Sequence, residues 1–285
     1  MTVPIIRRRP RGNPERLPAS LHPVLRRVYA SRGISESELS LELKNLLLPT
    51  GLLGMSRATE ILEDAVRSGK KIVIAGDYDA DGATGTALGI LALRALGARE
   101  TAYVVPDRFR MGYGLSPALA ELAAQQSPQV LVTVDNGIAS LAGVARAKEL
   151  GMAVVITDHH LAGAELPAAD AIVNPNQPGC GFASKHLAGV GVMFYVLLAL
   201  RTRLRESGWF ADRPEPNLAD WLDLVAVGTV ADVVRLDHNN RVLVEQGLRR
   251  IRAGRARPGV LAMLEVAGRK ADRLSSTDLG FVLGP

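Results

Sequence analysis

The sequence predicts an α/β protein, a doubly wound parallel sheet with helices on both faces, extended by a helical N-terminal portion and a helical C-terminal portion. Two observations carry this. From Lys70 onward five short runs rich in β-branched residues, KKIVIAG (70–76), TAYVV (101–105), QVLVTV (129–134), MAVVIT (152–157) and AIVN (171–174), alternate with helical runs. Those five runs are continuously apolar rather than alternating with polar residues, as strands covered on both faces must be. With 285 residues and 47% hydrophobic content, the chain can also bury a large core.

The elements follow in order. HPVLRRVYASRG (22–33) reads as a helix stopped by glycine, and Ser35 with Glu38 forms a capping box ahead of LSLELKNLLL (39–48), which reads as a second short helix. SRATEILEDAVRSG (56–69) is a third helix with a glycine stop. Between the strands lie the helical runs ATGTALGILALRALG, SPALAELAAQQ with Pro117 in its first turn, and ASLAGVARAKELG. After about Val190 the chain is mostly helical, through VGVMFYVLLALRTRLRESG, LADWLDLVAVGTVADVV, RVLVEQGLRRIRAG and GVLAMLEVAG. The expected division is a basic arm and helical extension over 1–69 and an α/β domain over 70–285.

Composition narrows the setting. A single cysteine, Cys180, excludes an internal disulfide framework and fits a reducing cytoplasm. The arginine-rich start, IIRRRPRGNPERLP, is not followed by an apolar signal segment, and apolar runs elsewhere are too short for a membrane span, so neither export nor a membrane is expected. The net charge is only +5, yet from Arg7 to Arg32 eight arginines face one acid, Glu15, and a second basic stretch runs from Arg249 to Arg257. Such arms suit a polyanionic partner, although a solvated, disordered tail is the better reading of the first dozen residues taken alone.

In an open parallel sheet, ligands bind outside the carboxyl ends of the strands. There the sequence places Asp77, Asp79 and Asp81 after the first strand, Asp135, Asn136 and Gly137 after the third, and Asp158, His159 and His160 after the fourth. Taken singly, each acid could cap a helix or turn, and a His-His pair needs no ligand role. Their convergence on one edge is harder to explain that way, because facing carboxylates repel unless cations neutralise them. Carboxylate and imidazole without thiolate favour Mn²⁺ or Mg²⁺ over zinc. Asp77, Asp79, Asp135 and His159 suffice to hold two such ions with a bridging carboxylate, the arrangement that hydrolyses phosphate esters.

Rival chemistries fail on particular residues. DYDADG begins like a calcium loop, but its twelfth position is Leu88 where a bidentate acid is needed. No G-x-x-x-x-G-K-[ST] is present, and GVGVMF (189–194) lacks the third glycine of a dinucleotide fingerprint. There is no G-x-S-x-G elbow and the lone cysteine has no catalytic setting.

DYDADG, VDNG, TDHH and VGTVADVVRLDHNNR, in that order, resemble the motifs of the DHH phosphoesterase superfamily. The longer match IAGDYDADGATGTAL, VPDRFRMGYGL, LVTVDNGI, VVITDHH, IVNPNQP and LAGVGVMF is similar to its RecJ family of single-strand-specific 5′-to-3′ DNA exonucleases, from about Ile34 to the end. This resemblance implies that Asp79, Asp135, His159 and Asp232 bind one metal and that Asp77 with bridging Asp135 lies at a second, filled by Mn²⁺ or Mg²⁺. It implies His160 as a phosphate-contacting or proton-handling group, with Asp81 and Asp158 in support. Arg108 and Arg110, after the second strand, are expected to hold a phosphate, and Asn136 and His186 are counted with the substrate contacts. Many relatives carry a histidine four positions before the first aspartate; Val73 stands there, which implies a weaker second site.

The implied partner is single-stranded DNA, with a single-strand-binding protein or helicase as protein partners and a monomeric chain, in repair and recombination. The family's second, DHH-associated domain is expected to be absent from this chain. Two alternatives remain open from the sequence: a DHH phosphodiesterase for short oligonucleotides, cyclic dinucleotides or pyrophosphate, and a non-catalytic scaffold in a replication assembly.

Overall fold

The computed structural model describes residues 10–285; the arginines at 7–9 lie outside the described residues. Five strands form where the apolar runs stand: β1 (Ile72–Gly76), β2 (Thr101–Val104), β3 (Val130–Val134), β4 (Ala153–Thr157) and β5 (Ala171–Val173). They make one sheet in the order β2-β1-β3-β4-β5, every neighbouring pair parallel. Alternate residues of β1, β3 and β4 enter different cores. Ile72, Ile74, Val132 and Val155 join one cluster, whereas Val73, Ala75, Leu131, Val154 and Ile156 join another. Both faces are therefore buried, which explains the lack of polar alternation in the sequence.

The helices are α1 (Pro23–Ser31), α2 (Met55–Ser68), α3 (Ala80–Ala95), α4 (Pro117–Ala124), α5 (Leu141–Glu149), α6 (Gly189–Glu206), α7 (Leu222–Ala231), α8 (His238–Arg252) and α9 (Pro258–Val266). Side chains of α2, α3 and α6 cover one sheet face, with α7, α8 and α9 continuing that core; α4 and α5 cover the other face. No helix among the described residues is long and apolar enough to cross a membrane.

Two expectations need correcting. LSLELKNLLL is not a helix: short 3₁₀ turns occupy Glu36–Leu39, Leu43–Asn45 and Pro49–Gly51. The Ser35–Glu38 capping box is present. The helix does not propagate, because Asn45 Nδ2 donates to the Ser40 carbonyl at 2.9 Å and so takes an acceptor that a continuing helix needs. The expected division at residue 69 also moves: the chain separates into units over 1–45 and 46–285. Helix α2 belongs to the second unit, since Leu62, Ala65 and Val66 on its apolar stripe share a core with Ile72 and Ala171. Gly54 opens that helix at φ +80°, and a Cβ there would lie 2.0 Å from the Ile172 carbonyl oxygen.

The chain leaves β1 toward β2 on one side, and β3 leads to β4 and β5 on the other. The carboxyl ends of β1 and β3 therefore flank the topological switch point, where a parallel sheet opens its crevice.

Candidate metal centre at the strand ends

The turn after β1 brings Asp77 and Asp79 into the crevice. Asp77 is buried and its Oδ1 accepts the Tyr78 N–H at 2.8 Å. Asp79 is the N-cap of α3, accepting the Gly82 N–H at 2.9 Å. Gly82 permits this close turn, because a Cβ there would stand 2.6 Å from the Asp77 carbonyl oxygen.

Asp135 follows β3 with its backbone in the left-handed region at φ 63°, and Val233, directly after Asp232, has φ 60°. Each such conformation in a non-glycine residue costs about 1–3 kcal/mol and marks a place where the fold imposes geometry. Gly189, the first residue of α6, packs onto Asp135 so tightly that a Cβ would sit 2.5 Å from the Asp135 Cβ. Asp232 is the C-cap of α7.

These side chains converge. His159 Nε2 lies 3.1 Å from Asp135 Oδ1, 3.5 Å from Asp232 Oδ2 and 4.0 Å from Asp81 Oδ2. Asp77, Asp79 and Asp135 each offer an oxygen, and the three oxygens lie within 4.8 Å of one another. Asp135 Oδ1, His159 Nε2 and Asp232 Oδ2 are all buried and have no hydrogen-bond partner. Leaving three buried polar atoms unsatisfied in one place is unfavourable by about 1–3 kcal/mol apiece, and a divalent cation among them would satisfy all three. Three or four carboxylates with one imidazole form a donor set that fits Mn²⁺ or Mg²⁺. The two groups Asp135–His159–Asp232 and Asp77–Asp79–Asp135 share Asp135, so that residue alone could bridge two ions.

The electrostatics agree with the geometry. Burial, then the nearby Asp79 charge, raises the Asp135 carboxyl to about 9. Burial raises Asp77 and Asp232 as well, with Asp79 again adding to both. Without cations the cluster holds protons that carboxylates ordinarily release, so a positive charge placed there would displace them.

The second histidine is arranged differently. His160 Nδ1 pairs with Asp158 Oδ1 at 2.8 Å, and that bond holds the imidazole pKa up at about 9. Although burial opposes it, the hydrogen bond from His160 and the Ile138 N–H keep the Asp158 carboxyl below its ordinary value. Two asparagines of NPNQ fix the backbone of both histidines: Asn174 Nδ2 donates to the His160 carbonyl at 2.9 Å and Asn176 Nδ2 to the His159 carbonyl at 2.5 Å. Tyr113 Oη donates to the Asp135 carbonyl at 3.0 Å and lies 3.2 Å from the His160 ring nitrogens.

Two expected site residues make structural bonds, and a third stands apart from the acid cluster. Asp81 accepts the N–H groups of Gly189 and, at 2.8 Å, Val190, so this buried acid anchors the start of α6, a supporting position beside His159. Asn136 is buried and donates to the carbonyls of Ala75 and Val134, tying β1 to β3, which leaves neither N–H for a substrate. His186 is half-buried ahead of α6, and no hydrogen bond or ion pair among the described residues joins its imidazole to the acid cluster. Arg108 and Arg110 do stand at the expected edge. The Arg108 guanidinium stacks 4.8 Å from the Tyr78 ring, and Arg110 lies exposed 3.7 Å from Asp107. Tyr113, Asn174 and Asn176 escaped the sequence reading; their only signal was polar residues clustered just beyond a strand. Val73 is fully buried in the core under α4 and α5.

Comparisons with known proteins agree with this fold. The single-stranded-DNA-specific exonuclease RecJ of Escherichia coli K12 is 56% identical over 283 residues, covering 98% of this chain and 49% of the relative. The RecJ of Dickeya dadantii 3937 is 57% identical over 283 residues, with the same two coverages. A crystal structure of RecJ in complex with Mn²⁺ from Thermus thermophilus matches with a TM-score of 0.72 at 34% identity, covering 90% of this chain and 35% of that one. The chain spans about half the length of the curated relatives it matches. A family model described as the DHH family, N-terminal domain, matches residues 71–229, from the lysine before β1 into α7. Four of the five clustered ligand candidates fall inside that stretch, with Asp232 three residues past its end, and the chain belongs to the DHH family.

Proposed function

We propose that this chain hydrolyses phosphodiester bonds of single-stranded DNA from the 5′ end, with Mn²⁺ or Mg²⁺ held at the strand ends. The observation that carries the reading is the trio of buried, unpartnered atoms, Asp135 Oδ1, His159 Nε2 and Asp232 Oδ2. Asp79, Asp135, His159 and Asp232 would hold one cation, and Asp77 with Asp135 the second. When bound, such a pair supplies an activated water and steadies the leaving oxygen. His160, oriented by Asp158, donates a hydrogen bond or proton to the phosphate or leaving oxygen. Arg108 and Arg110 grip a phosphate, with Arg108 held in place on Tyr78; His186 remains a proposed further contact.

The choice of polymer is supported by the named activity of the relatives, single-stranded-DNA-specific exonucleases; the 5′ polarity is part of the proposal. The proposed setting is the cytoplasm, in DNA repair and recombination. There the chain acts as a monomer on strands that a helicase exposes or a single-strand-binding protein covers. The test is digestion of 5′-labelled single-stranded and blunt duplex DNA with Mn²⁺, with Mg²⁺ and with chelator. Single strands should shorten from the labelled end only when a divalent ion is present. Equal rates on duplex and single strand would overturn the substrate, and full activity in chelator would overturn the metal centre.

A further inference from the structure

Beyond the acid cluster, one exposed segment stands out. The loop between β2 and α4 carries Asp107-Arg108-Phe109-Arg110, an aromatic ring between two cations, and Phe109 is 94% exposed. A large apolar ring left almost entirely in water is unfavourable relative to burying it. The segment is nevertheless held in a defined turn. The Phe109 N–H donates to Asp107 Oδ1 at 2.9 Å, and the N–H groups of Arg110 and Met111 donate to the Asp107 carbonyl at 3.1 and 2.7 Å.

Its place relative to the cluster is fixed at both ends. The Arg108 guanidinium lies 6.0 Å from the Phe109 ring and 4.8 Å from Tyr78, which sits between Asp77 and Asp79 in the chain. At the far end of the same loop, Tyr113 bonds the Asp135 carbonyl. A strand whose phosphate meets Arg108 and the acid cluster would thus have its base beside Phe109.

We propose that Phe109 is the stacking platform for the 5′-terminal nucleobase, with Arg108 taking the adjoining phosphate. The proposal rests on the single-strand reading above and adds a base subsite to it. Stacking tolerates any base, because every base presents a π-face, so the subsite would hold the strand end without reading sequence. It would also favour an unpaired end, since a base in a duplex is already stacked and paired.

The experiment uses 5′-phosphorylated single strands carrying either 2-aminopurine or an abasic unit at the first nucleotide. Binding is followed by 2-aminopurine fluorescence in chelator, and hydrolysis is followed with Mn²⁺. The expected results are quenching on binding by the unaltered chain, lost in Phe109→Ala and retained in Phe109→Trp. In hydrolysis, Phe109→Ala should raise KM about tenfold on intact strands with kcat little changed, and should add nothing on the abasic strand. Calorimetric Mn²⁺ binding should be unchanged in both variants, which shows that the cluster and the fold survive. Hydrolysis without quenching, or an equal KM rise on abasic and intact strands, overturns the platform and leaves the function standing. Quenching that depends on Phe109 without any hydrolysis overturns the function and leaves the platform standing. Absence of binding overturns both.

Discussion

Two acid–histidine pairs stand side by side at this edge, their histidines adjacent in the chain, and differ in almost every physical respect. Asp135 with His159 is an unsatisfied pair: its facing atoms are 3.1 Å apart, buried, and have no hydrogen-bond partner. Asp158 with His160 is saturated: the carboxylate takes the N–H groups of Ile138, His159 and His160 and the imidazole of His160 besides. Burial raises the acid of the first pair, whereas hydrogen bonds lower the acid of the second despite burial. The difference assigns the work. A pair that lacks partners is built to receive something, and a pair with every partner in place is built to hold a side chain steady.

Breaking the unsatisfied pair should have the largest effect. Asp135→Asn or His159→Ala should abolish Mn²⁺ binding at the shared centre and with it detectable hydrolysis. In chelator, the Asp135→Asn protein should unfold at higher denaturant by about 1–3 kcal/mol, because a buried acid without a partner is gone. Calorimetric Mn²⁺ titration and urea unfolding measure the two effects. Full Mn²⁺ binding by both variants would sink the assignment.

The pairs should also separate by pH in the metal-free protein. Asp135 has a folded pKa of about 9 against 3.8 unfolded, so the folded state binds the extra proton between those values. Its contribution to stability therefore falls as pH rises from about 4 to about 9. His160 also has a folded pKa of about 9, against 6.5 unfolded, and its contribution is complete below 6.5 and lost as pH rises through 9. Urea midpoints across this range should show Asp135→Asn flattening the profile from pH 4 upward and His160→Asn altering it only above about 6.5. An identical profile for both variants would merge the pairs again.

Within the saturated pair, His160→Ala should keep Mn²⁺ binding and lower kcat by about 10²–10⁴-fold, the range for losing a positioned proton donor. A smaller loss, about 10–100-fold, is expected for Asn176→Ala, which frees the His159 carbonyl and lets the ligand turn. Steady-state kinetics at saturating Mn²⁺ order the two. If Asn176→Ala cost more than His160→Ala, His160 would be a bystander.

Much of this edge was legible in the sequence, for a definite reason. Strand runs with acids directly behind them announce both the sheet and the side of it that works, so Asp77, Asp79, Asp135 and His159 could be found from spacing alone. Asp232 could not, since a C-cap of α7 looks like any helix end, and only motif resemblance selected it. The role of Asp81 was hidden for a different reason: its partners, Gly189 and Val190, lie more than a hundred residues along the chain. Asn136 was expected to contact substrate, whereas its amide donates to the Ala75 and Val134 carbonyls under the strand ends. The 3₁₀ turns of 36–51 were missed because a capping box predicts where a helix starts and says nothing of side chains that stop it.

The smallest effect tests whether the two pairs are coupled at all. Besides the direct approach of the two histidine rings, with centroids 4.4 Å apart, Tyr113 touches both pairs, through the Asp135 carbonyl at 3.0 Å and the His160 ring at 3.2 Å. Its ring packs edge-on to His160 with centroids 5.6 Å apart, so Tyr113→Phe keeps the packing and removes only the hydroxyl. One neutral hydrogen bond contributes about 0.5–1.5 kcal/mol net, and at this half-exposed position water can replace the donor. The expected loss is therefore less than about tenfold in Mn²⁺ affinity, with a fall in kcat of similar size because Asp135 and His160 loosen together. Were the pairs independent, the variant would shift one quantity and spare the other. Calorimetry and kcat measured on the same preparation distinguish these outcomes, and a change in kcat with Mn²⁺ affinity untouched would show that Tyr113 serves His160 alone.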